Sequence, residues 1–296
     1  MRNSPLFSIV IPTYNRSQLI PLTLDSVLEQ TFFDFEIIVV DDGSTDTTGN
    51  TIARYLADSR IKYYKIGNSE RGAARNYGAT KSNGQYVTFL DSDDIFLPWH
   101  LKIAAEKIES ANAPPIFHLA YEILHPNGRV DSLPQLPSPV NEKLLEGNFL
   151  SCMGVFLQRK VAIENPFDED KNLAGSEDYE LWMRIAARMP IITFKEVTSR
   201  LINHGERSVI TADPKRLMAR IALLDQKLHA DPFFSKKFGK SSEKFGSYRT
   251  LYLSLHLALS GERWMAFKSL LITVYLYPFV VFTYRFIVAL KKITLW

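Results

Sequence analysis

The chain of 296 residues is 46% hydrophobic and 23% charged, with 14 glycines and 15 prolines at no regular period. That composition excludes disorder, low-complexity filaments and collagen-like repeats, and the single cysteine, Cys152, excludes a disulfide framework or a multi-cysteine metal site and fits a reducing compartment. The net charge of +3 hides a polarity: residues 1–205 hold 20 Lys and Arg against 26 Asp and Glu, and residues 206–296 hold 15 against 6. An acidic body with a basic tail suits metal binding by the body or contact of the tail with an anionic surface; solvated lysines on a helical tail are the alternative.

The first hundred residues alternate strand and helix patterns. The apolar run Phe7–Ile11 predicts a strand ended by Pro12, and Ser17 can cap a helix carrying Leu19, Ile20, Leu24, Val27 and Leu28. Glu36–Val40 is unbroken and β-branched, as a strand covered on both faces should be. A helix with Ile52, Tyr55 and Leu56 follows, then a strand over 61–66, a helix over 71–81 and a strand over 86–90. Pro98 suits the first turn of a helix running to about Ala111. This order predicts a doubly wound, mostly parallel sheet that binds ligand beyond the carboxyl ends of its strands.

Residues 112–150 are less regular, and Pro126, Pro134, Pro137 and Pro139 mark a loop suited to covering a cleft. Structure resumes at Phe149–Leu157, with a helix from about Ser176 to Ala187 and strand-like stretches at 191–194 and 200–202. Beyond Pro214 the chain reads helical. The run Phe7–Ile11 is shorter than the ~7–15 residues of a signal-peptide core, so a cytoplasmic location is expected.

Three polar clusters follow strands: Thr13-Tyr14, Asp41-Asp42 and Asp91-Ser92-Asp93-Asp94. Paired carboxylates such as Asp91 and Asp93 hold a hard divalent ion against a diphosphate, which suits Mg²⁺ or Mn²⁺. Asp168-Glu169-Asp170 repeats the spacing but follows Pro166-Phe167 in what reads as a solvated turn. Asp42 offers acceptors to a nucleobase N–H or a ribose hydroxyl, or leads an Asx turn. Tyr14 suits stacking on a base, and Arg16, Arg71 and Arg75 suit phosphate oxygens.

Four segments, Ser8–Arg16, Glu36–Asp46, Arg71–Ala79 and Phe89–Asp94, resemble glycosyltransferase family 2 in content and order. The resemblance covers about residues 7–210. It implies an α/β GT-A fold, Rossmann-like and doubly wound, with a nucleotide-activated sugar donor and inversion at the anomeric carbon. By that similarity Tyr14 and Asp42 contact the base, Asp91 the ribose or diphosphate, and Asp93 the metal. Pro12, Thr13, Arg16, Arg71, Arg75, Ser92 and Arg207 complete the nucleotide-sugar site. Gly175–Arg184 resembles the family's acceptor-side Glu-Asp motif, which makes Asp178 the general base; helical spacing sets it with Leu181, Trp182 and Ile185. In related enzymes a histidine near position 204 approaches the metal, which makes His204 a third ligand.

The implied organisation is a catalytic domain over 1–210, with donor half 1–111 and acceptor half 112–210, and a basic helical C-terminal region over 211–296. Its implied partners are a nucleotide sugar, with a UDP-sugar first, and a saccharide or lipid-linked glycan acceptor in surface polysaccharide or glycolipid assembly; no nucleic acid is expected. A sugar nucleotidyltransferase is the enzyme alternative, but Pro12–Arg16 lacks the glycine-rich phosphate loop it requires. A Rossmann dehydrogenase fails for want of its glycine motif. An inactive scaffold module would not need the carboxylates. Ser269–Tyr284 is uncharged for sixteen residues, shorter than the ~20 of a membrane span and divided by Pro278. Packing on the protein and peripheral anchoring to an anionic membrane through 211–296 remain its two principal readings.

Overall fold

Strands β1 (Phe7–Thr13) and β2 (Phe35–Asp41) are buried at every residue, as parallel strands covered on both faces must be. The computed structural model describes residues 4–203 and 213–294. The chain packs as two units, one of Met1–Val140, Leu150–Leu181 and Pro190–Arg207, the other of Asn141–Phe149, Trp182–Met189 and Ser208–Trp296.

The first unit alternates β1, α1 (Ile20–Leu28), β2, α2 (Thr48–Ala53), β3 (Ile61–Lys65), α3 (Arg71–Lys81) and β4 (Tyr86–Phe89). Next come β5 (Ile95–Phe96), α4 (His100–Ser110), β6 (Ile116–Leu124), β7 (Val130–Ser132), β8 (Val155–Gln158), α5 (Arg159–Glu164), the start of α6 (Glu177–Ala186) and β9 (Ile192–Ile202). The sheet runs β3-β2-β1-β4-β8-β6-β9-β5, with β7 beside β6. Its β3-β2-β1-β4 portion is parallel. Strand β8 is antiparallel to both β4 and β6, so β6 and its parallel neighbour β9 point the same way as β4. The carboxyl ends of β1, β2, β4, β6 and β9 therefore share one edge.

Ile9, Ile11, Ile37 and Val39 fill the core with Phe117 and Phe156, whose rings stack at 4.9 Å. His100 and His118 are buried in it, and desolvation pushes both imidazoles down to about 3, so they are neutral core residues. Helix α3 lies so close to β1 that a Cβ on Gly78 would sit 2.3 Å from Val10 Cγ1.

Local details depart from the sequence expectations. Strand β1 runs through Pro12, which pairs in register with Val40. Helix α1 begins at Ile20 without a side-chain cap, Pro21 filling its first turn, and Ser17 instead donates its N–H to Asp46. Helix α4 starts two residues after Pro98. The irregular stretch 112–150 contains β6 and β7, and Ile192–Ile202 is one strand with a bulge rather than two.

The second unit is helical, with α7 (Pro214–Ala230), α8 (Pro232–Phe238), α9 (Ser242–Leu259), α10 (Arg263–Leu276), a 3₁₀ turn over Pro278–Phe282 and α11 (Tyr284–Thr294). Asp213 and Asp231 cap α7 and α8 ahead of a proline at the first helical position. Asp231 also pairs with Arg188 at 2.6 Å. Glu146 binds both Lys143 and Lys244. Tyr248, Leu251, Leu270, Val280 and Ala289 form its small core. No helix among the described residues is long and apolar enough to cross a membrane.

Candidate active site

The shared edge is built from three turns that hold one another. Thr13 pairs with Asp41, and the Asp42 N–H donates to the Thr13 carbonyl at 2.8 Å. Asp41 is buried and structural: Oδ1 accepts from the Ser44 N–H at 2.7 Å and Oδ2 from the Tyr63 hydroxyl at 2.7 Å. Gly43 has φ of +81°, and a Cβ there would meet Asn68 N at 3.1 Å, so only glycine turns this corner without strain. Asn15 locks the first turn to the second by accepting from the Thr45 N–H at 2.9 Å.

Asp42 reaches the third turn. Its oxygens accept from the Ser69 and Glu70 N–H groups at 2.7 and 2.8 Å, and burial pushes its carboxyl up although those bonds pull it down. Two of its roughly four acceptor positions are thus taken by backbone. Tyr14, just after β1, has 43% of its surface exposed. Pro12 and Thr13 lie buried inside β1, where Thr13 Oγ1 has no hydrogen-bond partner among the described residues.

Around α3 the structure brings together charges from three distant segments. Arg75 is 1% exposed. Its Nη2 donates to Asp91 Oδ1 at 2.6 Å and its Nη1 to Glu177 Oε1 at 3.0 Å, with the Phe167 ring 5.2 Å from the guanidinium. In this structure the Arg75 guanidinium is buried and bonded to two carboxylates, where an open phosphate contact was expected. One helical turn earlier, Arg71 lies 3.6 Å from Glu177 and is held charged against burial by Glu177, Asp91 and Asp178. Glu177 also accepts from the Gly175 N–H at 2.6 Å, which fixes the start of α6 where Asp178 sits, itself accepting from the Tyr179 N–H at 2.7 Å.

Beyond β4, Ser92 and Asp94 are buried and Asp93 lies 3.9 Å from Arg16. Asp94 accepts from the Ile202 N–H at 2.9 Å, tying this turn to β9. The Asp168-Glu169-Asp170 repeat is a capping turn: Asp168 accepts from the Asp170 N–H at 2.9 Å, Asp170 from Asn172 at 3.0 Å, and Glu169 from Asn76 at 2.8 Å. His204 and Arg207 lie outside the described residues.

Two residues here carried no expectation. Cys152 is buried where Arg75, Asp178, Asp91 and Glu177 all act on it; desolvation pushes its thiol well up and Arg75 pulls it back. Asn76 exchanges two hydrogen bonds with the Phe167 backbone, at 2.9 and 2.8 Å, and so seats the ring under Arg75. A lone Cys and an Asn in mid-helix give no pattern from which either position follows.

Among the described residues no group of three or more His, Cys, Asp and Glu forms a metal cage. Asp91 and Asp93 supply hard oxygen donors of the kind that hold Mg²⁺ or Mn²⁺ when a substrate diphosphate completes the coordination. The residues present fit that kind of site.

The model of glycosyl transferase family 2 matches residues 8–125, which contain all the turns described above up to β6. The chain is 31% identical over 234 residues to an uncharacterized glycosyltransferase of Rickettsia felis, covering 77% of this chain and 38% of that protein. It spans 26–39% of the length of three such Rickettsia relatives. It is 33% identical to the UDP-Glc:α-D-GlcNAc-diphosphoundecaprenol β-1,3-glucosyltransferase WfgD of Escherichia coli, over 61% of this chain and 69% of that one. WcaA, a glycosyl transferase assigned to colanic acid biosynthesis in E. coli K12, is 32% identical over 85% of this chain and 89% of its own. In fold the chain resembles S. aureus TarS 1-349 in complex with UDP-GlcNAc, with a TM-score of 0.64, 18% identity and 91% of each chain covered. The mannosyltransferase PcManGT of Pyrobaculum calidifontis, solved with GDP-Man and Mn²⁺, gives a TM-score of 0.61 at 17% identity over 99% of this chain and 86% of its own. The chain belongs to glycosyltransferase family 2, and its α/β sheet with C-terminal helices is of the GT-A kind.

Proposed function

We propose that this glycosyltransferase is inverting and metal-dependent, transferring a sugar from a UDP-sugar to a lipid-linked glycan in surface polysaccharide assembly. The observation that carries this reading is the Asp91–Arg75–Glu177 chain of ion pairs, which joins the turn after β4 to the start of α6, beside Asp178. The UDP-sugar and the polyprenol-linked acceptor named for WfgD, and the UDP-GlcNAc bound to TarS, support the choice of substrates.

In this mechanism Tyr14 stacks on the base, and Asp42 accepts a hydrogen bond from it with a remaining lone pair. Asp91 and Asp93 would hold the divalent ion, His204 being the proposed third ligand, and Arg16, Arg71 and Arg207 meet the phosphates. When bound, the ion supplies charge neutralisation at the departing nucleoside diphosphate. Asp178 takes the proton of the acceptor hydroxyl as that oxygen bonds to the anomeric carbon from the face opposite the leaving group. One bond forms as the bond to diphosphate breaks, and configuration inverts. Arg75 holds Glu177 and hence the first turn of α6, so the base stands still while charge moves.

The test is a thermal-shift panel of UDP-, GDP- and dTDP-sugars with and without Mn²⁺. A rise in melting temperature confined to UDP-sugars with metal is expected. No shift with any nucleotide overturns the reading, and a shift confined to GDP or dTDP replaces the donor.

A further inference from the structure

The α9–α10 pair of the second unit is built inside out by the standard of a helix pair in water. The buried face of α10 carries Ala266, Ser269, Leu270 and Thr273. Its seam with α9 is laced by hydroxyls: Ser254 Oγ donates to the Ala266 carbonyl and Ser247 Oγ to the Thr273 carbonyl, both at 2.8 Å, and Thr273 Oγ1 donates to Thr250 Oγ1 at 2.9 Å. The outward face carries Trp264, Phe267, Leu271 and Tyr275, with Trp264 66% and Tyr275 86% exposed. Exposed apolar surface continues through Phe282, 82% exposed, and into α11 at Tyr284 and Ile287. A helix on a water-facing surface hides its apolar stripe. Small and hydroxyl-bearing residues within a seam, with aromatics outside, suit a pair whose outer solvent is lipid.

The charge around this face selects the lipid. From residue 244 onward the chain has seven Lys and Arg and one acidic residue, Glu262. Lys268 follows Trp264 by one turn, its Nζ 5.1 Å from the Trp264 ring, and Lys291 follows Tyr284 by two turns. Long cationic side chains along an apolar stripe lay their stems on it and extend their heads to phosphates. Two copies of this face pressed together would set lysine against lysine with little acid to pair, so self-association is disfavoured. The 14 residues of α10 rise only ~21 Å, short of a ~30 Å hydrocarbon core, and the turn at Pro278 follows.

We infer that the outward face of α10, the turn 278–282 and α11 seats at the headgroup–acyl boundary of an anionic bilayer, lying in it without spanning. The contact needs no donor or acceptor, so it stands or falls separately from the proposed reaction. The full chain should float with vesicles of phosphatidylglycerol and phosphatidylethanolamine, and far less with phosphatidylcholine. Trp264→Ser/Tyr275→Ser/Phe282→Ser should lower partitioning by about tenfold or more with an unchanged circular dichroism spectrum. Lys268→Gln and Lys291→Gln should each lower it by about fivefold on the anionic vesicles alone. Wild-type chain that stays with the protein fraction, or a triple variant that floats equally well, overturns the proposal. So does a lipid-free dimer in light scattering that the triple variant dissolves while neither protein floats, since the face would then belong to a second copy.

Discussion

The two units bury polar groups in opposite ways. In the first, a full guanidinium charge is sunk between two carboxylates at the mouth of the sheet, and the aromatic Tyr14 is exposed at 43%. In the second, neutral hydroxyls are spent along a helix seam, and the aromatics stand outside. A buried ion pair is costly and returns little net stability. Its presence at the carboxyl edge of the sheet fits the proposed active site, where fixed geometry is needed. Buried hydroxyls bonded to carbonyls cost little, and they leave the apolar side chains of α10 free to face outward, as the proposed lipid contact requires.

The largest effect belongs to Asp178→Asn, which should lower transfer by about a thousandfold in steady-state kinetics while donor affinity in calorimetry holds within about twofold. Near-normal turnover would move the base elsewhere. Arg75→Met should cost about 3–5 kcal/mol in urea unfolding, because Asp91 and Glu177 then lose the cation buried between them and keep only the more distant Arg71. Adding Glu177→Gln should return part of that loss; additive losses would mean that Arg75 acts by packing alone.

Glu36 tests a charge away from the site. Burial opposes its ionisation, but Lys62, the Ser8 hydroxyl and the Asn83 N–H outweigh it and hold the carboxyl below its ordinary 4.5. Its contribution is therefore complete above that value and drains away as pH falls through the lower folded value. Glu36→Gln should cost about 2 kcal/mol at neutral pH, and its unfolding curve should converge with the parent's under acid. A gap that stays constant with pH would remove the charge from the account. The smallest effect is expected in the second unit, where Ser254→Ala should cost about 1 kcal/mol or less, since a hydroxyl is lost without stranding a charge.

Much of the first unit is legible in its residues, for a physical reason. Parallel strands covered on both faces read as unbroken apolar runs, and the turns after them must carry the polar groups, so β1 to β4 and Asp42, Asp91 and Asp93 stand out. Strand β6 is harder to see, because its outer half is only partly buried and the prolines nearby belong to loops beyond it. Helical spacing places Arg71 and Arg75 on one face of α3, yet it says nothing about what approaches that face from residues 167–177, and so the burial of Arg75 between Asp91 and Glu177 does not follow from the sequence. The helical C-terminus is legible too, but the assignment of 141–149 and 182–189 to its unit rests on tertiary packing that no local pattern encodes.

Arg75 joins partners 16 and 102 positions away in the chain. Until residue 177 has docked, α3 carries a guanidinium that pairs with one carboxylate at most, and water must keep company with the rest. The Arg75–Glu177 bond therefore forms only where segments 102 positions apart have come together, while β1 to β4 pair within the first ninety residues.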